Sequence, residues 1–466
     1  MQLELEEIVP DNPVALGLSV IVVYVLYQLL RPSKLPKLPI VGAKPGEWFA
    51  LRRARWRNTR YMKNATETAY NQYSDCACIL PIAGAQTFVH LPHKELRWLL
   101  EQPDSVINNL TQVVDSLQLH RTLMDPDLAY KPGHISVISG PLTREIGNLV
   151  PTLLDEIQYA VDDLWGMDTE SYQDTSVFTS MCRVIGQTTN RVFISLPLCR
   201  EPALLDSAMA FSLDIPTSSI MLHHFWPSLR PLLAPFITLP NCIHTSRFFK
   251  IVRPEIRRRL RDYDTIKAEK KQPNDFLHWS IDHAKSMGDP YYGQVDTLAG
   301  RVLLNNFTSI HTSSFAITYV IFDLVSSKSS TQRASQHHQE PFPRVGPWFA
   351  VLHILHDATF YPEPETFKPF RFADNRAKLA KKGESYVQQA RQALTTTSPE
   401  FAAFGHGRHA CVGMFFAASM LKLMLGYILM NYDFEFEEKR AENPWFGANR
   451  IPPIQATIRV KRRAEK

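Results

Sequence analysis

The stretch Phe404-Gly405-His406-Gly407-Arg408-His409-Ala410-Cys411-Val412-Gly413 constrains this chain more than any other. Glycines at 405, 407 and 413 allow a tight turn and a close approach of backbone to a flat bound group. The stretch opens an apolar helical run, Met414 to Leu429. A cysteine just before such a helix lies near the positive end of the dipole and beside free backbone N–H groups, a setting that suits a thiolate. Taken alone, Cys411 would be read as a small buried apolar residue. Read together, the turn, the basic residues and the helix point to a ligand loop.

The chain has 466 residues, long enough for one large domain or two smaller ones. Its net charge of +5 is modest. It gives no ground for nucleic-acid binding, although a weakly basic face suits an acidic partner or membrane surface. Cysteines 76, 78, 182, 199, 242 and 411 are scattered without a paired framework, as expected of a reducing compartment. Cys76-x-Cys78 is too tight and isolated for a zinc site.

Val14 to Leu30 carries no charge and approaches the length needed to span a bilayer. Acidic residues (Glu4, Glu6, Glu7, Asp11) precede it and basic ones (Arg31, Lys34, Lys37) follow. The positive-inside rule then puts the body in the cytosol. A cleaved signal would need positive charge before the run and a small-residue cleavage site after it. The expected organisation is a luminal tail and single transmembrane anchor over 1–31, a proline-rich linker over 32–47, and one body over 48–466.

Within the body, residues 48–74 read as a helix. Ile79 to Leu91 is β-rich, with Gly84-Ala85 as a hairpin turn. Pro92 to Leu100 reads as a short helix and 101–133 as irregular. Helical periodicity marks Leu142 to Leu164, Phe178 to Phe193, 247–271 and Leu298 to Ser326. The fold class is mainly α with a small β-sheet. The sequons at Asn64, Asn109 and Asn306 are expected to stay unmodified in a cytosolic body.

The Phe404–Gly413 stretch resembles the cysteine loop of the cytochrome P-450 family, Phe-x-x-Gly-x-Arg/His-x-Cys-x-Gly, with every fixed position filled. The resemblance implies haem (iron protoporphyrin IX) with Cys411 as axial thiolate and metal ligand. Phe404, Gly407, His409 and Gly413 would complete the cofactor loop. Thr308-Ser309-Ile310-His311-Thr312 is similar to the family's oxygen-binding helix. Thr312 falls on the threonine that helps deliver protons, and His311 on the usual acid; imidazole can shuttle protons near neutrality. Without the cysteine loop, this segment would read as a helix hydroxyl bonded to the preceding turn and a core histidine. His134 falls where a helix contacts a haem propionate. His409 and Arg408 are alternative propionate partners, since a buried carboxylate needs a cationic or hydrogen-bonding partner.

Phe367-Lys368-Pro369-Phe370-Arg371-Phe372 is similar to the family's segment upstream of the cysteine loop, whose arginine pairs with a Glu-x-x-Arg on an earlier helix. Here the glutamates between Thr312 and Phe367 are Glu340, Glu363 and Glu365, and none has arginine three residues later. Glu255/Arg258 comes too early and reads as a solvated helix face; Glu437/Arg440 comes too late. Ser326 to Pro347 is rich in Ser, Gln, His and Pro and reads as a loop. The resemblance therefore implies a deletion within 326–349 of several dozen residues, covering two helices and part of the sheet.

The resulting expectation is a haem-thiolate monooxygenase of filamentous-fungal secondary-metabolite type, anchored in the endoplasmic reticulum membrane. It would act on an apolar, terpenoid-like small molecule. Electrons would come from NADPH through a separate flavoprotein reductase, because the chain carries no flavin or nucleotide motif. The alternatives are an inactive haem-binding pseudoenzyme and a truncated or mis-spliced oxidase product.

Overall fold

The computed structural model describes residues 35–82, 87–327, 353–446 and 449–464, together with Ser19, Val22, Val23, Tyr24 and Tyr27. The chain divides into two units, Met1–Pro39 and Ile40–Lys466. In the first, the few described residues from Ser19 to Tyr27 are helical. Most of the expected anchor, Val14 to Leu30, lies outside the described residues.

The second unit is mainly helical with small sheets. In chain order, α1 spans Ala50–Arg60 and α2 Met62–Gln72. β1 (Cys78–Pro81) and β2 (Thr87–His90) pair antiparallel, Cys78 opposite His90. The expected turn at Gly84-Ala85 lies outside the described residues. Then follow α3 (Asn109–Ser116), α4 (Gly133–Val137) and, after one π-turn, α5 (Thr143–Trp165). β3 (Gln173–Ser176) leads into α6 (Val177–Phe193), α7 (Pro202–His224), α8 (Leu239–Arg261), α9 (Phe276–Met287) and α10 (Val295–Val325). After the segment 328–352, which is not described, come α11 (Arg371–Lys381) and α12 (Met414–Asn431). β4 (Tyr432–Phe434), β5 (Trp445–Phe446), β6 (Asn449–Arg450) and β7 (Thr457–Arg462) finish the chain. β7 lies between β3 and β4, so the C-terminus is tied to the entrance of α6.

The core is a stack of helices in which α6 packs on α10 and α5, α7 on α8 and α10, and α12 on α5 and α10. α5 shows why. Leu149, Leu153, Ile157, Ala160, Val161 and Trp165 recur at helical spacing and are all buried. α5 stops at Gly166, whose φ of 75° few other residues adopt. α12 is the one helix among the described residues long and apolar enough to cross a membrane, and half of it is buried inside the protein. Its apolar face is filled by protein contacts, as in a core helix.

Three expectations need correction. Residues 101–133 are not irregular: α3 and two further helical turns, Leu119–Thr122 and Asp127–Tyr130, lie there. Asn108 caps α3 by accepting from Thr111 N–H at 2.8 Å, a cap hidden among residues that also favour turns. The helix expected over 48–74 is broken at Tyr61, whose backbone leaves the helical region. The helix expected over 247–271 begins at Leu239 and ends at Arg261, with a separate turn from Tyr263 to Ala268. Its Pro240 sits in the first turn, where a missing N–H costs nothing.

Arg371 also differs from expectation. It is not a stranded buried guanidinium. It donates to the carbonyls of Pro362, Glu363 and Thr366. Arg440 pairs with Asp323 on α10, in keeping with the reading that Glu437/Arg440 is not the family's pair. Glu255 does pair with Arg258 at 2.7 Å, and also with the buried Arg259 at 2.7 Å.

Candidate functional site

The cysteine turn is built from backbone hydrogen bonds. Cys411 N–H donates to Phe404 O at 2.7 Å, and Ala410 N–H donates to Gly407 O at 3.1 Å. Gly405 and Gly407 hold φ at 71° and 73°, so both glycines are required by conformation. Gly407–His409 forms a single 3-10 turn, and Gly413 is the N-cap of α12. Cys411 is exposed, yet burial by the surrounding atoms pushes its thiol pKa up, against the Gly413 N–H that pulls it down. A sulfur walled by protein but open on one side can receive a ligand.

Ile138, in the turn after α4, lies beside the start of α12. A Cβ added at Gly413 would lie 4.0 Å from Cys411 Sγ and 4.0 Å from Ile138 Cγ2. His134 lies one helical turn before Ile138. Its Nδ1 is buried with no hydrogen-bond partner among the described residues. Burial, reinforced by Arg301, pushes its pKa down to about 4, so the ring is neutral near pH 7. The structure thus brings Phe404, Gly407, Cys411 and Gly413 into one turn, with Ile138, one helical turn after His134, beside Gly413. His409 faces another way: its Nε2 lies 3.0 Å from Asp104 Oδ1, and Arg408 lies 3.4 Å from the same oxygen.

α10 supplies an opening. From Thr297 to Val325, Thr308 and Thr312 are its exposed residues. They stand one turn apart on a single face. Thr312 Oγ1 donates to Thr308 O at 2.7 Å. His311 is turned toward α6: Nδ1 lies 3.8 Å from Cys182 Sγ, and the ring stacks on Phe178 at 6.2 Å. Burial lowers its pKa, opposed by the Met209 backbone. Thr312 and His311 are neighbours in sequence but do not share a face.

Sequence reading passed over Arg301, which is 1% exposed. Its signal was a lone arginine within an apolar helix. Ile138 carried no signal at all.

The residues present fit a haem. One reachable thiol on a glycine turn suits a single axial position, and the unpartnered His134 Nδ1 suits a polar edge. A hydroxyl-bearing gap in a buried helix suits the face where a small molecule reacts.

A family profile, Cytochrome P450, matches residues 348–458. Cytochrome P450 monooxygenase gloP of Glarea lozoyensis is 26% identical, over 90% of this chain and 89% of its own length. Cytochrome P450 monooxygenase 71 of Postia placenta is 29% identical, over 87% of this chain and 90% of its own. Cytochrome P450 monooxygenase htyF of Aspergillus rugulosus is 29% identical, over 85% of this chain and 68% of its own. The first match runs over 492 aligned positions yet uses 90% of 466 residues. Dozens of its positions therefore have no residue of this chain opposite them. With the cysteine turn and the helical fold, these findings make the chain similar to cytochrome P450 monooxygenases over most of its length.

Proposed function

We propose that this chain is a membrane-anchored cytochrome P450 monooxygenase that oxidises an apolar small molecule, terpenoid-like or another fungal secondary metabolite. The observation that carries it is the exposed Cys411 on its glycine turn at the head of α12. Cys411 would hold the haem iron, with Phe404, Gly407, Gly413 and His134 around the cofactor, while His409 is engaged by Asp104. When bound, the haem supplies oxygen activation, and the thiolate's electron donation favours O–O cleavage. The chain's own part is steric and protic. The Gly413 N–H stabilises the thiolate form of Cys411. The apolar helices α6 and α10 exclude water. Thr312 carries a hydroxyl on the exposed face of α10, donating to Thr308 O at 2.7 Å and free to exchange that bond for a substrate-side acceptor. His311 would serve as a second proton carrier, although its packing against Phe178 and Cys182 favours a supporting role.

Electrons would come from NADPH through a separate flavoprotein reductase; the family generally works with such a partner. The charge asymmetry around Val14 to Leu30 supports an endoplasmic-reticulum anchor with the body cytosolic. The unmatched alignment positions support a deletion within 326–349. The test is the carbon monoxide spectrum of the reduced, purified chain. A thiolate-type band that disappears in Cys411→Ala is expected. A band that persists in the variant overturns the assignment.

A second reading, an inactive or mis-spliced product, is favoured by the missing Glu-x-x-Arg. A spectrum without turnover would indicate it.

A further inference from the structure

A cavity of about 260 Å³ lies between α9 on one side and α4 with the π-turn after it on the other. Its apolar wall is formed by Val137, Pro141 and Trp279. Val137 is 1% exposed and Trp279 8%. Ser136, Asp282, His283 and Ser286 make its polar rim. Three of these groups have open hydrogen-bonding capacity. Trp279 Nε1–H has no acceptor among the described residues, although a buried indole N–H usually finds one. His283 Nδ1 is buried without a partner there. Asp282 Oδ1 accepts from Tyr263 Oη at 2.6 Å, and Oδ2 lies 3.7 Å from His278 Nε2, which leaves lone pairs on both oxygens.

Charge and volume narrow the occupant. Burial, then Arg301, pushes the His283 pKa down, so its ring is neutral near pH 7. Lys285, on the same helix, sits 4.9 Å from the Tyr263 ring centroid. An ammonium in the cavity would be repelled by Arg301 and Lys285, and a carboxylate by Asp282. A neutral molecule meets neither penalty. Cavities of about 150 Å³ already accept benzene, and pockets for larger ligands start at about 300 Å³. One aromatic ring with a short polar substituent therefore fits. Trp279 offers the ring a flat surface, and the open acceptors of Asp282 call for a hydroxyl donor.

We propose that this cavity is an effector site for a small uncharged aromatic alcohol, its ring packed against Pro141 and Trp279 and its hydroxyl donating to Asp282. The site shares no lining residue with the gap at Thr308 and Thr312, and it needs neither bound haem nor turnover. Its wall leads to the cysteine turn. Val137 is followed by Ile138, which lies beside Gly413 at the start of α12. π-turns recur at functional sites and interrupt the regular helix ladder. An occupant that props Val137 and Pro141 steadies the Ile138 side of the cysteine turn.

The experiment records thermal midpoints of the full chain with phenol, toluene and cyclohexanol. Phenol raises the midpoint saturably. Toluene, without the hydroxyl, binds about tenfold more weakly, the loss expected of a hydrogen bond to a charged group. Cyclohexanol, without the flat ring, is also weaker. Ser136→Phe, at an exposed position on the rim, fills the cavity and abolishes the phenol response. Asp282→Asn keeps an acceptor for Tyr263 and weakens phenol about tenfold. Circular dichroism checks the fold of each variant, and Ser286→Phe closes the rim from α9 should Ser136→Phe not fold. In a chain whose other exposed cysteines, Cys76 and Cys242, are changed to serine, phenol slows alkylation of Cys411, and Ser136→Phe removes the slowing. No response to phenol, or a response that both rim variants leave unchanged, overturns the site. A response kept in Ser136→Phe and lost in Thr308→Trp puts phenol in the gap of α10 and overturns it equally. An unchanged alkylation rate overturns the coupling to the cysteine turn. None of these readouts needs haem, so a native chain without a thiolate-type spectrum would sink the monooxygenase reading and leave this site standing.

Discussion

Asn190 on α6 and Asn306 on α10 exchange side-chain amide hydrogen bonds, at 2.6 Å in one direction and 3.1 Å in the other. Each amide also donates to a backbone carbonyl of its own helix, Gly186 O at 2.8 Å and Val302 O at 3.0 Å. Both groups are fully buried. The pair fixes the register of α6 against the helix that carries Thr312, and it removes the Asn306 sequon from any modifying enzyme. Replacing Asn306 by alanine leaves Asn190 Oδ1 without its donor and should cost about 1–3 kcal/mol. Denaturant midpoints check this. Because the pair acts as a unit, Asn190→Ala with Asn306→Ala should cost less than the two single changes added together.

Cys411→Ala should abolish the thiolate-type carbonyl spectrum, as the only sulfur placed on the ligand turn is then lost. Alanine at Cys182, Cys199 or Cys242 should leave it intact. Cys182 and Cys199 are buried elsewhere, and burial pushes their thiols up to about 11 and about 12. Loss of the band in any of those three would contradict the assignment.

Thr312→Ala removes the hydroxyl that stands in the gap of α10 without removing packing. In an active form it should lower product formed per NADPH and raise peroxide release. His311→Phe should change coupling less, because the ring is stacked on Phe178 and turned toward α6. Product and peroxide yields measured side by side decide it; a larger effect at His311 would make that residue the proton carrier.

His134 links stability to pH. Its pKa is lowered to about 4 in the folded chain, against about 6.5 when unfolded. Above pH 6.5 neither state is protonated there and the group contributes nothing. As pH falls from about 6.5 to about 4, the unfolded state takes up a proton that the folded state refuses, and stability declines. The loss is on the order of 3 kcal/mol. His134→Gln should flatten this part of the stability–pH curve, and an unchanged curve would assign the decline to other groups.

Under the second reading, an inactive or mis-spliced product, this chain should show little or no turnover. Arg371 is satisfied by local carbonyls, so the reason is not a stranded charge. The reason would be the substrate wall and sheet that the proposed deletion within 326–349 would remove. Expression beside a form with that segment restored tests it: equal haem uptake and equal turnover would show the gap is tolerated.

The anchor prediction is separate. Carbonate extraction should leave the protein in membranes, and protease should reach the C-terminus from the cytosolic side. Release into the soluble fraction would refute it.

Local rules made part of this protein legible. α5, α6 and α10 announce themselves by buried residues at helical spacing, and the boundaries expected for them lie within a few residues of those found. The cysteine turn was readable because glycine φ values, helix start and thiol chemistry all act within ten residues. The gap in the family pattern was readable because it is a matter of which residues are present. What the sequence left open depends on contacts between distant segments. His311 and Thr312 look like one relay in sequence, but a 100° step per residue sends one toward Cys182 and the other into the gap. His409 looks like a cofactor partner until Asp104, some three hundred residues earlier, is seen beside it. Arg371 looks unpaired until the chain folds back and offers three carbonyls. Arg301 looks like one polar interruption of an apolar helix; only packing against Gly133, His134, Tyr292 and His283 shows that it is a buried charge without a partner. Periodicity and turn chemistry are local and survive in the sequence, whereas partnership and burial are decided by which surfaces meet.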